Sequence, residues 1–275
     1  MPELPEVETI KNELSPRVMG QSFTQVAIFD EKLVAGGSPE EVHRGLIGQK
    51  IESLTRRGKY LIFRLSNGRS LIMHLRMTGV LLLNPQEVDR YARAVFHLSG
   101  GHRVVFSDRR RLGRIWLVDD ASSVIGRLGP EPFAEGFSAE VLGERLSRHR
   151  IPVKAVLLDQ RIVAGIGNMY ADEALFAARI HPLRRADSLS RKEVRTLHNF
   201  IRAVLQEGIH CKGASVDTYV RPRGELGRAH CDFKVAHRGG QPCPLCGSTI
   251  ERVPIQNRGS YFCPKCQPPG SGHSI

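Results

Sequence analysis

The sequence lacks the segments that would place a protein in or across a membrane. No apolar run approaches the roughly 18 residues that a membrane-spanning helix needs. The first residues are acidic, so they lack the basic region followed by an apolar region that marks a signal peptide. No internal repeat is present either. We therefore expect a cytoplasmic protein that has no membrane partner.

Acidic residues are scarce relative to basic ones. The chain has 28 Asp and Glu against 40 Lys and Arg, which leaves a formal net charge of +12. Such an excess favours a polyanionic partner. The basic residues also cluster, at 56–59, 109–111, 145–150 and 221–223. One such run alone is as often a solvated face, but their number favours binding to phosphates.

Cysteines are few, and four of the six fall in one short segment. They form a C-x2-C-x16-C-x2-C pattern made of Cys243, Cys246, Cys263 and Cys266. This spacing is typical of two zinc knuckles, and cysteines in a reducing compartment favour metal ligation over disulfides. Four thiolates leave no coordination site for water, so we predict one structural Zn²⁺ with no hydrolytic role. On spacing alone, a zinc ribbon that binds protein remains an alternative.

The remaining chain divides into a β-rich part and a helical part. A helix is predicted from 3 to 19. Seven short strands are predicted after it, at 23–29, 60–65, 71–75, 80–83, 94–98, 104–106 and 115–118. Strands and turns at this spacing are typical of an antiparallel sandwich or barrel. After a Gly- and Pro-rich linker at 128–133, four helices are predicted: one capped by Ser138, one beginning at Pro152, one capped by Asn168, and one opened by a Ser190/Glu193 capping box.

These patterns predict an α+β multidomain protein. The expected domains are an N-terminal helix plus antiparallel β-sandwich at 1–133, a helical domain at 134–238, and a zinc-ribbon β-hairpin at 239–269, with a disordered tail at 270–275. The hairpin module is too small to bury a core, so metal binding must contribute much of its folding free energy.

The start of the chain suggests covalent chemistry. A small second residue such as Pro2 allows the initiator Met1 to be removed, which would free a secondary amine at the chain terminus. Such an amine can attack a sugar C1′ and then carry an iminium ion. Glu3 could protonate the departing base, and Glu6, one turn along, could position the nucleophile. Acids are also common in a first helical turn, so the glutamates alone prove nothing.

Five motifs of this chain resemble those of bacterial formamidopyrimidine-DNA glycosylases. They are Pro2 to Glu8, Arg57-Gly58-Lys59-Tyr60, His74-Leu75-Arg76-Met77, Gly165 to Asn168 and the four cysteines. The resemblance covers nearly the whole chain. That family excises oxidised purines from duplex DNA and cuts the backbone by β and δ elimination. The resemblance implies that Pro2 is the nucleophile, Glu3 the proton donor, Lys59 an acid/base group in β elimination, and Arg258 the corresponding group in δ elimination.

The resemblance also implies which residues contact damaged double-stranded DNA. Family members hold open the hole left by the extruded nucleotide with Met, Arg and Phe; Met77 and Arg110 match, whereas Leu112 stands in place of Phe and cannot stack on a base. Asn168 belongs to the helix–two-turn–helix element, a phosphate seat. His74, Arg150 and Lys154 match or adjoin other DNA-contacting positions, and Tyr91 replaces a common His.

Together these features predict a monomeric, bifunctional DNA glycosylase and abasic-site lyase that clamps DNA between its domains and acts in the bacterial nucleoid. A long loop at 213–233 favours oxidised purines, 8-oxoguanine and formamidopyrimidines, over the oxidised pyrimidines cut by the related endonuclease VIII. Ala236-His237 differs from the Tyr-Gly that commonly follows this loop. A non-catalytic zinc-ribbon DNA-binding protein is the alternative from another class, and it leaves the Pro-Glu start unexplained.

Overall fold

The computed structural model describes residues 1–269, and the predicted tail at 270–275 lies outside them. The described residues form two compact units, one of Met1–Arg127 with Ile209–Arg228 and one of Leu128–Gly208 with 229–269. The first boundary lies six residues before the predicted one, and segment 209–228 joins the first unit instead of the helical domain. Within residues 1–269, no helix is long and apolar enough to traverse a bilayer.

The first unit is a β-sandwich with a helix packed on it. Its α-helices are α1 (Leu4–Val18), α2 (Pro39–Leu46), which lies between the first two strands, and a short α3 (Ser122–Ile125) after the last strand. Its eight strands are β1 (Phe23–Ile28), β2 (Ile51–Arg57), β3 (Tyr60–Leu65), β4 (Ser70–His74), β5 (Gly79–Leu83), β6 (Ala92–Leu98), β7 (Arg103–Asp108) and β8 (Arg114–Val118). They form two antiparallel four-stranded sheets, ordered β1-β6-β7-β5 and β2-β3-β4-β8.

The sandwich core explains why the strands alternate. Inward residues such as Leu61, Leu71, Phe96 and Phe106 are fully buried, and the apolar face of α1, including Ile10, packs into the same cluster. All seven predicted strands are present, so the predicted sandwich is confirmed. Strand β2 was not predicted because its solvent side carries polar residues (Ile-Glu-Ser-Leu-Thr-Arg-Arg) and gives a weak apolar alternation.

The second unit is helical and ends in a hairpin. Its elements are α4 (Ala139–Ser147), α5 (Val153–Leu157), α6 (Asn168–Ala177), α7 (Arg191–His210), β9 (Glu251–Ile255) and β10 (Arg258–Phe262). The predicted capping box is present at the start of α7, where the Ser190 N–H donates to Glu193 Oε2 (2.8 Å) and the Glu193 N–H donates to Ser190 Oγ (3.3 Å).

The predicted cap of α6 is wrong. Gly167, not Asn168, is the N-cap residue, and Asn168 is the first residue of the helix. The Asn168 amide instead donates from Nδ2 to the carbonyl of Gly259 on β10, at 2.9 Å. Capping requires a side-chain oxygen on the residue just before the helix, and Gly167 occupies that position.

A buried ion pair joins α5, α6 and the hairpin. Lys154 Nζ lies 2.7 Å from Asp172 Oδ1, and both side chains are fully buried. The same ammonium donates to Ser260 Oγ (2.7 Å), and the Tyr261 N–H donates to Asp172 Oδ2 (3.2 Å). Burial raises the pKa of Asp172 to about 7, although the Lys154 ammonium opposes the rise. The hairpin is therefore attached to the helices by charge and hydrogen bonds as well as by packing.

Replacing one partner of this pair should destabilise the protein strongly. Lys154→Met leaves an uncompensated buried carboxylate, which we expect to lower the free energy of unfolding by about 3–5 kcal/mol. Arg161→Met removes an exposed ion pair with Asp159, which solvent screens, so the free energy of unfolding should fall much less than in Lys154→Met. Urea unfolding of the two variants checks this, and equal losses would show that the buried pair does not hold the hairpin.

Candidate active site and nucleic-acid interface

The start of α1 is organised by one buried carboxylate. Pro2 is buried and directly precedes the helix, and Glu3 is its N-cap residue. Glu6, which is completely buried, accepts a hydrogen bond from the Glu3 N–H at 2.7 Å through Oε2 and one from the Ala214 N–H at 2.8 Å through Oε1. Glu6 therefore holds both Glu3, which follows Pro2, and the start of the 213–233 loop. A geometric role for Glu6 was predicted, but its link to Ala214 was not.

The turn that carries Lys59 is attached to the same helix. Arg56 Nε donates to Glu8 Oε2 on α1 at 2.7 Å, and Arg56 Nη1 donates to the carbonyl of Gly58 at 2.9 Å. Burial disfavours the charged form of Glu8, but hydrogen bonds from Lys11 and Arg56 outweigh burial and lower its pKa. Lys59 follows Gly58, is 4% exposed and begins the run into β3. The Glu8–Arg56 pair thus fixes the turn against α1.

His74 is buried at the end of β4 and is neutral. Burial, together with the charges of Arg76 and Lys59, lowers the pKa of His74 to about 3. The Arg76 N–H donates to His74 Nδ1 at 3.0 Å, so the ring proton resides on Nε2. A phosphate contact from His74, which stays a prediction, would therefore be made by a neutral N–H donor.

The three residues predicted to enter the DNA stack lie in two turns of the sandwich. Met77 lies between β4 and β5, and Arg110 and Leu112 lie between β7 and β8. All three are exposed, with Met77 at 41% and Leu112 at 37%. Exposed apolar side chains on ordered turns suit insertion between bases. Beside them Tyr91 lies under two guanidinium groups, those of Arg90 (4.8 Å) and Arg109 (5.6 Å).

The first part of the 213–233 loop is fixed within the first unit. Arg221 makes a salt bridge with Glu13 on α1 at 2.6 Å, and the buried Tyr219 donates to the carbonyl of Lys212 at 3.1 Å. Gly213 has φ +80°, and a Cβ there would lie 2.9 Å from Glu6 Cγ. Only glycine combines that backbone conformation with such close contact. The loop start is consequently built around Glu6.

The segment after the loop is held within the second unit. Glu173 on α6 accepts backbone hydrogen bonds from Lys234, Val235 and Ala236, at 2.8–3.0 Å. Burial raises the pKa of Glu173 although these bonds oppose the rise. His237 has φ +61°, a left-handed conformation that favours glycine, at the position where the Tyr-Gly pair of relatives has Gly. His237 therefore adopts a backbone conformation that a glycine would adopt at a lower cost in free energy.

The remaining predicted DNA contacts lie in the second unit and differ in accessibility. Arg150 is exposed and lies 3.9 Å from Asp187, and Arg258 is exposed at the first residue of β10. Lys154 is fully buried against Asp172, so its ammonium is used inside the protein. Asn168 and Lys154 both bind residues adjoining Arg258, namely Gly259 and Ser260. Sequence reasoning missed Asp172, whose signal was one of two adjacent acids in a largely apolar α6.

The four cysteines converge as predicted. All four Sγ atoms lie within 4.8 Å of one another, with Cys246–Cys263 at 3.4 Å and Cys243–Cys266 at 3.9 Å. A tetrahedral zinc with Zn–S bonds of about 2.3 Å needs sulfurs about 3.8 Å apart, so the cluster fits one ion. Four thiolates complete the coordination, and the zinc is therefore structural. It would hold the hairpin that carries Arg258.

Three family profiles match consecutive parts of the chain. The formamidopyrimidine-DNA glycosylase N-terminal domain matches residues 1–115, the formamidopyrimidine-DNA glycosylase H2TH domain matches 128–220, and the zinc finger found in FPG and IleRS matches 240–269. The third match agrees with the cysteine geometry.

Whole-length relatives give the same result. Formamidopyrimidine-DNA glycosylase of Chloroflexus aurantiacus is 42% identical over 97% of this chain and 98% of the relative, and that of Desulfitobacterium hafniense is 44% identical over 97% and 100%. Among solved structures, the MutM (Fpg) protein of Thermus thermophilus has a TM-score of 0.90 at 40% identity, covering 98% of this chain and all of its own. A Lactococcus lactis Fpg mutant in complex with Fapy-dG containing DNA has a TM-score of 0.90 at 33% identity, covering 97% and 100%.

The neutral state of His74 predicts a pH dependence of stability. The folded protein keeps His74 neutral down to a pH of about 3, whereas the unfolded chain takes up a proton below its ordinary pKa of 6.5. The contribution of His74 is present above 6.5 and is lost as the pH falls toward 3, by up to about 1.4 kcal/mol per pH unit. Urea unfolding between pH 7 and 4 should show a shallower decline for His74→Gln than for the original chain; parallel curves would exclude this.

Zinc binding should depend on the clustered cysteines alone. Cys263→Ser removes a buried ligand, so we expect zinc content to fall from about one ion per chain toward none and the hairpin to unfold. Cys231→Ser replaces an exposed cysteine outside the cluster and should keep the metal. Elemental analysis of both purified variants measures this. Zinc retained at full level in Cys263→Ser would show that the cluster is not the binding site.

Proposed function

Because this chain belongs to the formamidopyrimidine-DNA glycosylase family, we propose that it is a bifunctional DNA glycosylase and abasic-site lyase of base excision repair. The observation that carries the proposal is the start of the chain, where Pro2 precedes Glu3, the N-cap residue of α1, and Glu6 lies in the first turn of the helix. The substrate is damaged double-stranded DNA, and the protein acts as a monomer in the bacterial cytoplasm, associated with the nucleoid during repair.

The nucleophile is the Pro2 nitrogen after removal of Met1, since a nitrogen in a peptide bond cannot attack. The freed amine attacks C1′ of the damaged nucleotide, the bond from C1′ to the base breaks, and Glu3 gives a proton to the departing base or the ring oxygen. The nitrogen loses its proton, the sugar ring opens as the C1′–O4′ bond breaks and O4′ takes up a proton, and C1′ is left joined to the nitrogen as an iminium ion. Glu6 holds the Glu3 backbone at 2.7 Å and so fixes where the amine lies.

Strand cleavage follows from the iminium. Loss of a C2′ proton breaks the bond between C3′ and the 3′ phosphate in the β step, and the second elimination breaks the bond to the 5′ phosphate. Lys59 serves as acid/base group in the first elimination, since it is buried in a turn fixed to α1 by Arg56. Arg258 serves in the second from the zinc-supported hairpin, where Asn168 and Lys154 hold the next two residues. Water finally releases the sugar fragment and regenerates the amine.

Binding is assigned to the two turns of the sandwich and to four residues predicted to contact the DNA backbone. Met77, Arg110 and Leu112 fill the space left by the extruded nucleotide, and Arg150, Asn168, His74 and Tyr91 contact the DNA backbone around it. Lys154 acts through the hairpin, because its ammonium is buried against Asp172. The net charge of +12 attracts DNA to these surfaces.

Oxidised purines are the proposed substrates. The loop that follows Gly213 is long and ordered around Glu6 and Glu13, which suits a cover over a large base. A related Lactococcus lactis Fpg mutant was crystallised with Fapy-dG containing DNA. An endonuclease VIII-like preference for oxidised pyrimidines is the second candidate, and a non-catalytic DNA-binding protein is the third.

Borohydride reduction tests the nucleophile and the lesion together. The protein should become covalently joined to duplex DNA containing 8-oxoguanine, because reduction fixes the iminium, and more slowly to DNA containing an oxidised pyrimidine. Glu3→Gln should lower base excision by about 10²-fold or more while abasic DNA is still trapped.

A variant that keeps Met1 behind a short N-terminal extension is the matched control. It should bind DNA and give no covalent product. Trapping by the extended variant, or a crosslinked peptide that contains a lysine in place of Pro2, would overturn the assignment. Faster trapping on the oxidised pyrimidine would favour the endonuclease VIII-like preference, and no trapping with intact DNA binding would favour the binding protein.

A further inference from the structure

Asp108 lies between the two turns that carry Met77, Arg110 and Leu112. It is the last residue of β7 and is paired in register with Gly79, the first residue of β5. Because β5 begins where the Met77 turn ends and β7 ends where the Leu112 turn begins, the sheet brings both turns to the same carboxylate. Asp108 is 1% exposed, and sequence analysis assigned it no role.

The Asp108 carboxylate accepts hydrogen bonds from both turns. Its Oδ2 accepts from the backbone N–H groups of Leu112 (2.8 Å) and Gly113 (2.7 Å). Its Oδ1 accepts from the Arg110 N–H (3.1 Å) and from the Thr78 hydroxyl. Thr78 Oγ1 in turn accepts from the same Arg110 N–H at 3.2 Å. The buried Asp108 side chain thereby binds the backbone of Arg110 and of Leu112, and it binds Thr78, which follows Met77.

Both turns contain a residue in the left-handed region immediately before the inserting residue. Arg76 precedes Met77 with φ 55°, and Arg111 precedes Leu112 with φ 57°. Non-glycine residues adopt this conformation at a cost in free energy, and they keep it only where surrounding contacts hold it. Here His74 Nδ1 accepts from the Arg76 N–H, and Asp30 accepts from Arg111 Nε at 2.6 Å and Nη2 at 2.7 Å.

We propose that Asp108 is a positioning residue that links the Met77 turn to the Arg110–Leu112 turn and holds both in the geometry needed to enter the DNA stack. The inference rests on the proposed function, which assigns insertion to these side chains. Inserting residues must offset the free energy of unstacking a base pair, and any ordering of the turns on binding subtracts from that gain. Turns that are already ordered by protein contacts avoid the loss.

The carboxylate is suited to this task in a way that an amide is not. Each oxygen of Asp108 accepts from two donors, whereas an asparagine would offer one accepting oxygen and place an NH₂ group against backbone N–H groups. Asp108→Asn therefore keeps the size of the side chain and breaks the hydrogen bonds of one turn. Thr78→Val similarly removes the hydroxyl bridge without changing volume, and Thr78→Ser restores the hydroxyl.

The test compares a step that needs insertion with a step that does not. In single-turnover assays, Asp108→Asn should slow excision of 8-oxoguanine from a fully paired duplex by about tenfold or more, the consequence of one unsatisfied buried donor. Cleavage of a single-stranded oligonucleotide that already contains an abasic site should stay within about twofold of the original protein, because no pair has to be opened. Thr78→Val should show the same split, and Thr78→Ser should recover duplex excision.

A second readout follows insertion directly. A 2-aminopurine beside the lesion becomes more fluorescent when it is unstacked, and this rise should be slower or smaller in Asp108→Asn. Val104→Ala, a core substitution at the other end of β7, is the control for general destabilisation and should not separate the two assays.

The outcomes distinguish the possible failures. Duplex excision at the original rate in both Asp108→Asn and Thr78→Val would overturn the proposal, and so would an equal loss on the single-stranded substrate, which would indicate a general structural role. If the original protein itself neither excises the base nor is trapped by borohydride, the proposed function fails, and the positioning role fails with it.

Discussion

A carboxylate removed from water must find hydrogen-bond donors inside the protein, and this requirement organises the functional parts of the chain. Glu6 satisfies it with the backbone of Glu3 and Ala214, and Asp108 satisfies it with two turns of the sandwich. In both cases most of the donors are backbone N–H groups at turns and at a helix start. Burying the acid and ordering the loop are therefore one event.

The second unit follows the same rule with different partners. Glu173 is satisfied by three consecutive backbone N–H groups at the end of the long loop, whereas Asp172, its neighbour on α6, is satisfied by a lysine and by β10. The two adjacent acids thus point to different segments. Zinc contributes a third attachment, since the cysteine pairs flank the hairpin on both sides. The exposed Arg258 is held by a backbone fixed from several directions.

Charge on this protein divides into a solvent-exposed and a buried set. The exposed arginines, among them Arg110, Arg150 and Arg258, supply the long-range attraction for a polyanion. The enclosed charges, among them the buried Lys154 and the half-buried Arg56, are used in ion pairs that fix turns. His74 belongs to neither set because burial keeps it neutral. A count of basic residues therefore overstates the charge that is available to DNA, and burial decides which residues contribute.

The periodic elements and the metal site could be predicted from the chain because their determinants are local. Alternation predicted the strands of the sandwich, Ser190 and Glu193 predicted the start of α7, and the cysteine spacing predicted the cluster. The resemblance likewise placed Pro2, Glu3 and Lys59 in the proposed chemistry. The polar strand β2 and the cap of α6 were not predicted correctly, because a weak alternation and an Asn before a helix are each compatible with more than one structure.

What the sequence determined by itself is thus the set of elements, the ligand type for zinc and the excess of positive charge. Only the tertiary structure decided that Glu6 meets Ala214, that Lys154 is buried against Asp172, and that Asp108 joins two turns. These pairings connect residues that are distant along the chain and belong to different secondary-structure elements or turns. Sheet register and helix packing bring them together, and neither is encoded in the spacing of any short motif.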